Sequence, residues 1–216
     1  NQRKSYAKGT PENAMLKLGL NSVYGDSNNK FSVFYDPMYT MKITINGQLS
    51  LLLLAERLLE IVGLKLIQLN TDGLTVAIPV DKQSEYSDVC KQWEKTVGLE
   101  LEYADYSKMF IRDVNNYIAL YTNGKVKRKG AYQYENLEWH KNQSALVIPM
   151  AASANMLEGK DLREFIEDHF NAGNYFDFML RTKVDRSSRL VLVDENGNDI
   201  EQQRICRYYP SKNGYK

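Results

Sequence analysis

Between residues 47 and 62 the chain reads GQLSLLLLAERLLEIV, and this stretch limits the possible folds more than any other. Leu49, Leu52, Leu53, Leu58, Leu59 and Ile61 make a helix here apolar on most sides. Glu56, Arg57 and Glu60 leave it a single polar stripe at i, i+1 and i+4. Such a helix is expected to be mostly buried, so the rest of the chain must supply a sheet to cover it. Gly63 stops it. Two β-type runs follow, 64–69 and 74–80, separated by Asn70-Thr71-Asp72-Gly73. Asp-Gly between apolar runs is a strong hairpin signal.

The remaining elements agree with such a sheet. Pro11-Glu12 opens a helical pattern with Thr10 as N-cap, running to Tyr24. Residues 25–29 read as a loop, and 30–35 alternate as a short extended piece. A helix over 82–97 places Tyr86, Val89, Cys90, Trp93 and Val97 on one face. Residues 99–106 and 117–121 read as strands, and Asn123-Gly124 turns the second into a strand over 125–129. A small, apolar stretch occupies 145–158. A helix over 161–170 is expected to turn Leu162, Phe165, Ile166 and Phe170 toward a core. A strand at 190–193 and a turn at Asn196-Gly197 complete the pattern. The order is that of an α+β fold, an antiparallel sheet with helices packed on it. A soft boundary is expected near residue 144.

Composition narrows the function classes. The net charge is +1, so any nucleic-acid contact must come from local clusters. Cys90 and Cys206 have neither disulfide-framework nor zinc spacing, and His140 and His169 lack metal-ligand spacing. A reducing compartment is the simplest expectation. The apolar run at 49–54 is too short to span a bilayer, so no membrane partner is expected. The chain begins at Asn1 without methionine and ends at Lys216 with no element completed, and both ends read as cut from something longer.

Four clusters carry possible chemistry. Lys17, Asn21 and Tyr24 fall at i, i+4 and i+7, on one helix face. A lysine, an amide and a tyrosine ring suit a phosphorylated, ring-bearing ligand; a solvated face fits the spacing as well. Asp72 lies at a hairpin tip, where a carboxylate can hold a hard cation or simply form a turn. Beyond Tyr117, Lys125, Lys127, Arg128 and Lys129 form a positive hairpin, with the three lysines on one face by alternation. It suits a phosphate backbone, or serves as a charged edge strand. Arg181, Lys183, Arg186 and Arg189 make a looser basic run, open to the same two readings.

The order of these clusters resembles family B DNA polymerases of phage type. Lys17, Asn21, Ser22, Tyr24 and Gly25 match the fingers pattern Lys-x-x-x-Asn-Ser-x-Tyr-Gly. Residues 43–48 are similar to the Ile-Thr-x-x-Gly-Arg that opens a palm helix, with Gln48 for arginine. Asn70-Thr71-Asp72-Gly73 falls where the family carries Asp-Thr-Asp-Ser. Asp113-Val114-Asn115-Asn116-Tyr117 sits where a Lys-Lys-x-Tyr type motif belongs, so Asn115 and Asn116 remove two positive charges. Residues 127–130 are similar to a Lys-x-x-Gly element, and Arg207-Tyr208-Tyr209 to a thumb segment. The resemblance covers nearly the whole chain, closely to residue 132 and loosely beyond.

The resemblance implies the end of the fingers at 1–25, a polymerase palm-type antiparallel sheet with packed helices at 26–144, and a partial thumb at 145–216. Lys17 would contact the incoming triphosphate, while Asn21 and Tyr24 shape the nucleotide pocket. Asp72 would be a catalytic, metal-binding carboxylate. Tyr117, Lys125, Lys127, Arg128 and Lys129 would grip primer–template. Such polymerases use two Mg2+ ions about 4 Å apart. The second carboxylate belongs to an Asp-x-x-Ser-Leu-Tyr-Pro motif that this sequence does not contain, and the proofreading exonuclease is also missing. Implied partners are primer–template DNA, dNTP and the remainder of the polymerase chain, in the cytoplasm of a bacterial host. Asn70 replaces the first aspartate, the less direct metal partner in the family, which leaves room for activity. A non-catalytic nucleic-acid-binding remnant is the alternative. An unrelated α+β domain would need several chance motifs in order, and a reverse transcriptase would need a Tyr-x-Asp-Asp type turn that is not found.

Overall fold

The computed structural model describes residues 2–137 and 144–212. Asn1, His140 and Lys216 lie outside the described residues. The chain divides into two compact units, Asn1–Glu102 and Tyr103–Lys216.

In the first unit, α1 (Pro11–Asp26) starts as its sequence predicts, with Pro11 at the first position and Thr10 as N-cap. The Thr10 Oγ1 accepts from the Asn13 amide at 3.4 Å. The segment expected to be extended at 30–35 is instead a run of turns. Its alternating Phe31, Val33 and Tyr35 imitate a strand. However, the Asn29 and Ser32 side chains accept from the Phe31 and Phe34 amides, both at 3.1 Å. Local side-chain bonds of this kind compete with extended pairing.

Helix α2 (Pro37–Leu59) begins ten residues before the expected start at 47. Asp36 caps it by accepting from the Tyr39 amide at 3.0 Å, and Pro37 occupies the first turn. Residues 43–48 therefore lie within the helix and do not open it. Burial is also narrower than the apolar sequence suggests: Leu54, Ala55 and Leu58 are buried, while Leu49, Leu52 and Leu59 are exposed. The helix has 23 residues, and α3 (Gln83–Val97), which packs on it, has 15. The cover falls on the C-terminal half. There Leu54, Leu58 and Ile61 meet Leu64, Cys90 and Trp93 in the unit's core. Full burial of side chains this size contributes about 1.5–3 kcal/mol each. The Trp93 indole also donates to the Ser50 carbonyl at 2.7 Å, fixing the angle between the helices. The hairpin of β1 (Lys65–Leu69) and β2 (Leu74–Ala77) adds Leu74 and Val76 to this core.

The second unit opens with β3 (Tyr106–Asp113), β4 (Asn116–Tyr121) and β5 (Val126–Lys129), an antiparallel meander with β4 in the centre. The strand expected over 99–106 is absent: 99–105 have no regular structure, and β3 begins at Tyr106. The Asp113–Tyr117 motif consequently straddles the β3–β4 turn. Ile118 and Ala119 on β4 are fully buried. Helix α4 (Val147–Glu158) buries Val147, Pro149, Ala151, Ser153 and Ala154, small residues that allow close approach. Helix α5 (Leu162–Asn171) is capped by Asp161, yet none of its residues is buried, and Leu162, Ile166 and Phe170 remain exposed. Two ribbons follow, β6 (Leu180–Lys183) with β9 (Ile205–Tyr208), and β7 (Leu190–Val193) with β8 (Asp199–Gln202). The α+β expectation holds. The described strands form several small antiparallel sheets, and none is continuous along the chain.

Candidate nucleic-acid interface

On α1, helical periodicity and Thr10 capping bring Lys17, Asn21 and Tyr24 to one side, and all three are exposed. Lys17 and Asn21 make no hydrogen bond or ion pair with another described side chain. Tyr24 is tied down: its hydroxyl meets Thr44 Oγ1 on α2 at 2.8 Å. One turn on, Ser27 donates to the Tyr24 carbonyl and pairs with Thr40 Oγ1, both at 2.6 Å. Tyr24 is thus anchored through its hydroxyl and its backbone carbonyl, while the Lys17 ammonium and the Asn21 amide remain available.

Asp72 is exposed at the tip of the β1–β2 hairpin. The turn is not the left-handed type that Asp-Gly favours, because no residue from 70 to 73 has positive φ. The Asn70 side chain shapes it instead, accepting from the Asp72 amide at 3.2 Å, while the Asn70 amide donates to the Gly73 carbonyl at 2.9 Å. The Asn70 amide oxygen is therefore spent on the loop backbone. Among the described residues no group of three or more His, Cys, Asp or Glu is placed to hold a metal. A hard dication needs several oxygens, so Asp72 by itself does not fit a two-ion site.

In the second unit, β5 separates its cations by face. Tyr117 stands opposite Lys129, and Ala119 opposite Lys127. Lys127 and Lys129 lean over the Tyr117 ring, with Nζ atoms 5.7 and 5.9 Å from its centroid. Tyr106 and Tyr121, which the sequence did not single out, pack ring against ring at 4.8 Å alongside. Burial works to lower the Lys127 pKa. The polar contact with Tyr117 and the phenols of Tyr106 and Tyr121 outweigh it, holding the ammonium above its ordinary range. Lys127 is fully charged at neutral pH. Lys125 is exposed beside the Asn123-Gly124 turn, its amide bonded to Asn123 Oδ1 at 3.0 Å.

Arg128 points to the other face. Its Nε donates to Ser153 Oγ on α4 at 2.9 Å, and its Nη1 meets Glu135 at 3.1 Å. The guanidinium lies 4.7 Å over the Tyr134 ring, and the side chain is only 14% exposed. Its hydrogen-bonding capacity is turned inward, whereas Lys127 and Lys129 have no carboxylate partner among the described residues.

Asn115 and Asn116, read from the sequence as lost charges, hold the meander together. The Asn116 Nδ2 donates to both Asp113 carboxylate oxygens at 2.7 and 2.9 Å, and its Oδ1 accepts from the Ala131 amide at 2.7 Å. Those bonds, with the Asn115 amide and Arg112, keep the Asp113 carboxyl below its usual range. The second basic run is dispersed: Lys183, Arg186 and Arg189 are exposed, but Arg181 is half-buried in β6.

No family model and no curated protein matches the sequence. Among solved structures, the chain is similar to the family B DNA polymerase from the hyperthermophilic archaeon Pyrobaculum calidifontis, with a TM-score of 0.50 and 18% identity. The match covers 86% of this chain and 25% of that one, so this chain spans about a quarter of that polymerase's length. At this identity the likeness is one of fold.

Proposed function

We propose that the chain is part of a phage-type DNA-directed DNA polymerase, carrying the end of the fingers (1–25), palm (26–144) and the start of the thumb (145–216). The observation that carries the reading is the fold likeness to a family B DNA polymerase across most of the chain. It is supported by the order of the fingers pattern, the Asp72 hairpin and the lysine face along that fold. In this reading Lys17, Asn21 and Tyr24 receive a dNTP. Asp72 supplies one catalytic carboxylate for transfer of a nucleotidyl group to a primer 3′-hydroxyl. The second carboxylate, and with it a complete Mg2+ site, comes from the remainder of the polymerase. That remainder would also cover the apolar Met15, Leu18 and Leu20 of α1 and Leu49 and Leu52 of α2, all exposed here. No described helix is long and apolar enough to cross a membrane, and a bacterial host cytoplasm is the proposed setting.

Fluorescence anisotropy of a labelled primer–template across a salt series tests the reading. Log affinity is expected to fall linearly with log salt, by about 0.9 per phosphate neutralised. A Lys127→Ala/Lys129→Ala variant is expected to be shallower by about 1–2 in slope. No binding at low salt would overturn the assignment of the lysine face. Templated extension by this chain alone would overturn the claim that a carboxylate is missing.

The non-catalytic nucleic-acid-binding reading is favoured by one observation, that the Asn70 side chain is engaged with its own loop. It predicts the same binding, and no extension when the rest of the polymerase is supplied.

A further inference from the structure

Tyr117 lies on the face shared by β4 and β5. Its side chain sits beneath two cations, and the residue is 5% exposed. A ring that enclosed has no face left on which a base or sugar can stack. Ala119, next on the same side of β4, is fully buried and small. It stands opposite Lys127, so no bulky neighbour keeps that lysine from leaning across to the Tyr117 ring. Lys129 reaches the same ring from directly opposite. A single aromatic side chain thereby holds two ammonium groups at similar distances, 5.7 and 5.9 Å from its centroid.

From this arrangement we infer that Tyr117 is a positioning residue: it holds Lys127 and Lys129 ready for neighbouring phosphates of a nucleic-acid backbone and does not touch the strand itself. The inference rests on the reading that this face binds nucleic acid. The gain is entropic. A free lysine side chain loses about 2 kcal/mol of rotamer freedom when fixed. Two lysines already gathered on a ring have lost part of that freedom before the ligand arrives, which leaves more of the phosphate contact as affinity. The ring's negative π-density also attracts each ammonium electrostatically. With no described carboxylate bonded to either, both charges remain for an external anion. Residues one position out of register, such as Arg128, take no part, because alternation turns them to the α4 side.

The test is the same anisotropy series on five proteins: wild type, Tyr117→Phe, Tyr117→Leu, Lys127→Ala/Lys129→Ala, and Tyr117→Leu in the double-alanine background. Tyr117→Phe keeps the ring and loses only the phenol's polar contact with Lys127, so it should retain more affinity than Tyr117→Leu. Tyr117→Leu should lose roughly 3- to 30-fold, about the part of the lysines' rotamer freedom that the ring removes before binding, with a shallower salt slope. In the double-alanine background it should cost nothing further. A Tyr117→Leu loss of equal size in that background would mean that the phenol contacts the strand directly, and would overturn the inference. So would wild-type affinity in Tyr117→Leu while the double alanine variant loses binding. If the double alanine variant binds like wild type, the nucleic-acid reading of the face fails, and the inference falls with it. A second measurement needs no Tyr117 variant. In wild type, the Lys127 and Lys129 Cε proton resonances, assigned with single Lys→Arg variants, should be shifted upfield by the ring current and stay shifted with DNA bound. Random-coil shifts would overturn the inference even if Tyr117→Leu fails to fold.

Discussion

Gly130 shows how a single position can be constrained by residues that its local sequence does not reveal. Its φ is +63°, and a Cβ there would run into the Asn115 carbonyl and the Asn116 side-chain oxygen. That oxygen also accepts from the Ala131 amide, so the β3–β4 turn and the end of β5 are joined through one amide group. Gly130→Ala should therefore destabilise the second unit by about 1–3 kcal/mol, from left-handed strain and displacement of Asn116. Asn116→Lys would add a positive charge beside Tyr117, yet it should cost about as much. It removes an acceptor that the Ala131 amide needs and both bonds to Asp113. Urea unfolding of the two variants checks this, and a neutral result for Asn116→Lys would return that residue to the surface-charge role suggested by its sequence.

At the scale of elements, β5 is the informative case. Its four residues, Val126 to Lys129, are too short for the basic run to act as one surface, and the strand's alternation divides the charges. Arg128 braces α4 through Ser153, while Lys127 and Lys129 face away from it. Arg128→Ala should lower stability by about 1.5–3 kcal/mol, the range for a hydrogen bond to a charged group. The salt slope of DNA binding should stay at the wild-type value. A changed slope with unchanged stability would place Arg128 on the nucleic-acid side. Helix α2 carries a related lesson. Its apolar run marks where the core lies, at Leu54 and Leu58, but its start is set ten residues earlier by Asp36 and Pro37. Asp-Pro is a readable start signal, masked by the louder hydrophobic pattern that follows.

For the molecule as a whole, two hairpin turns of the second unit should contribute to the acid response. Asp113 is held below the usual carboxylate range chiefly by the Asn116 side chain. Asp194 is held below it chiefly by Asn198, whose amide and side chain bond its oxygens at 2.8 and 3.0 Å. A carboxyl whose folded pKa is depressed stabilises the fold above its unfolded value, about 3.9 for Asp, and loses that contribution as pH falls through the folded value. Thermal unfolding should thus be nearly level from pH 7 to about 5 on account of these groups and drop below about 4. An Asp113→Asn/Asp194→Asn variant should drop less. An equal drop in the variant would assign acid sensitivity to other carboxylates.

What was legible in the sequence is what short-range chemistry decides. Thr10 before Pro11, Asp161 before α5, Asn123-Gly124 between β4 and β5, and the apolar stripe of α3 each specify an element through neighbours a few residues away. The same holds for the shared helical face of Lys17, Asn21 and Tyr24, and for Asp72 at a hairpin tip. Other features depended on residues far apart along the chain. The Arg128–Ser153 bond spans 25 positions, the Asn116–Ala131 bond 15, and the Trp93–Ser50 bond 43. Periodicity sorts residues into faces but cannot say which face another element covers. That is why α2 and α5 look more buried in sequence than they are, and why Arg128 is grouped in sequence with the three lysines as a DNA contact. The sequence alone determined most of the helices and hairpin turns and the chemistry they carry. The tertiary structure decided which charges stay open to a ligand, because that depends on partners brought together only by packing.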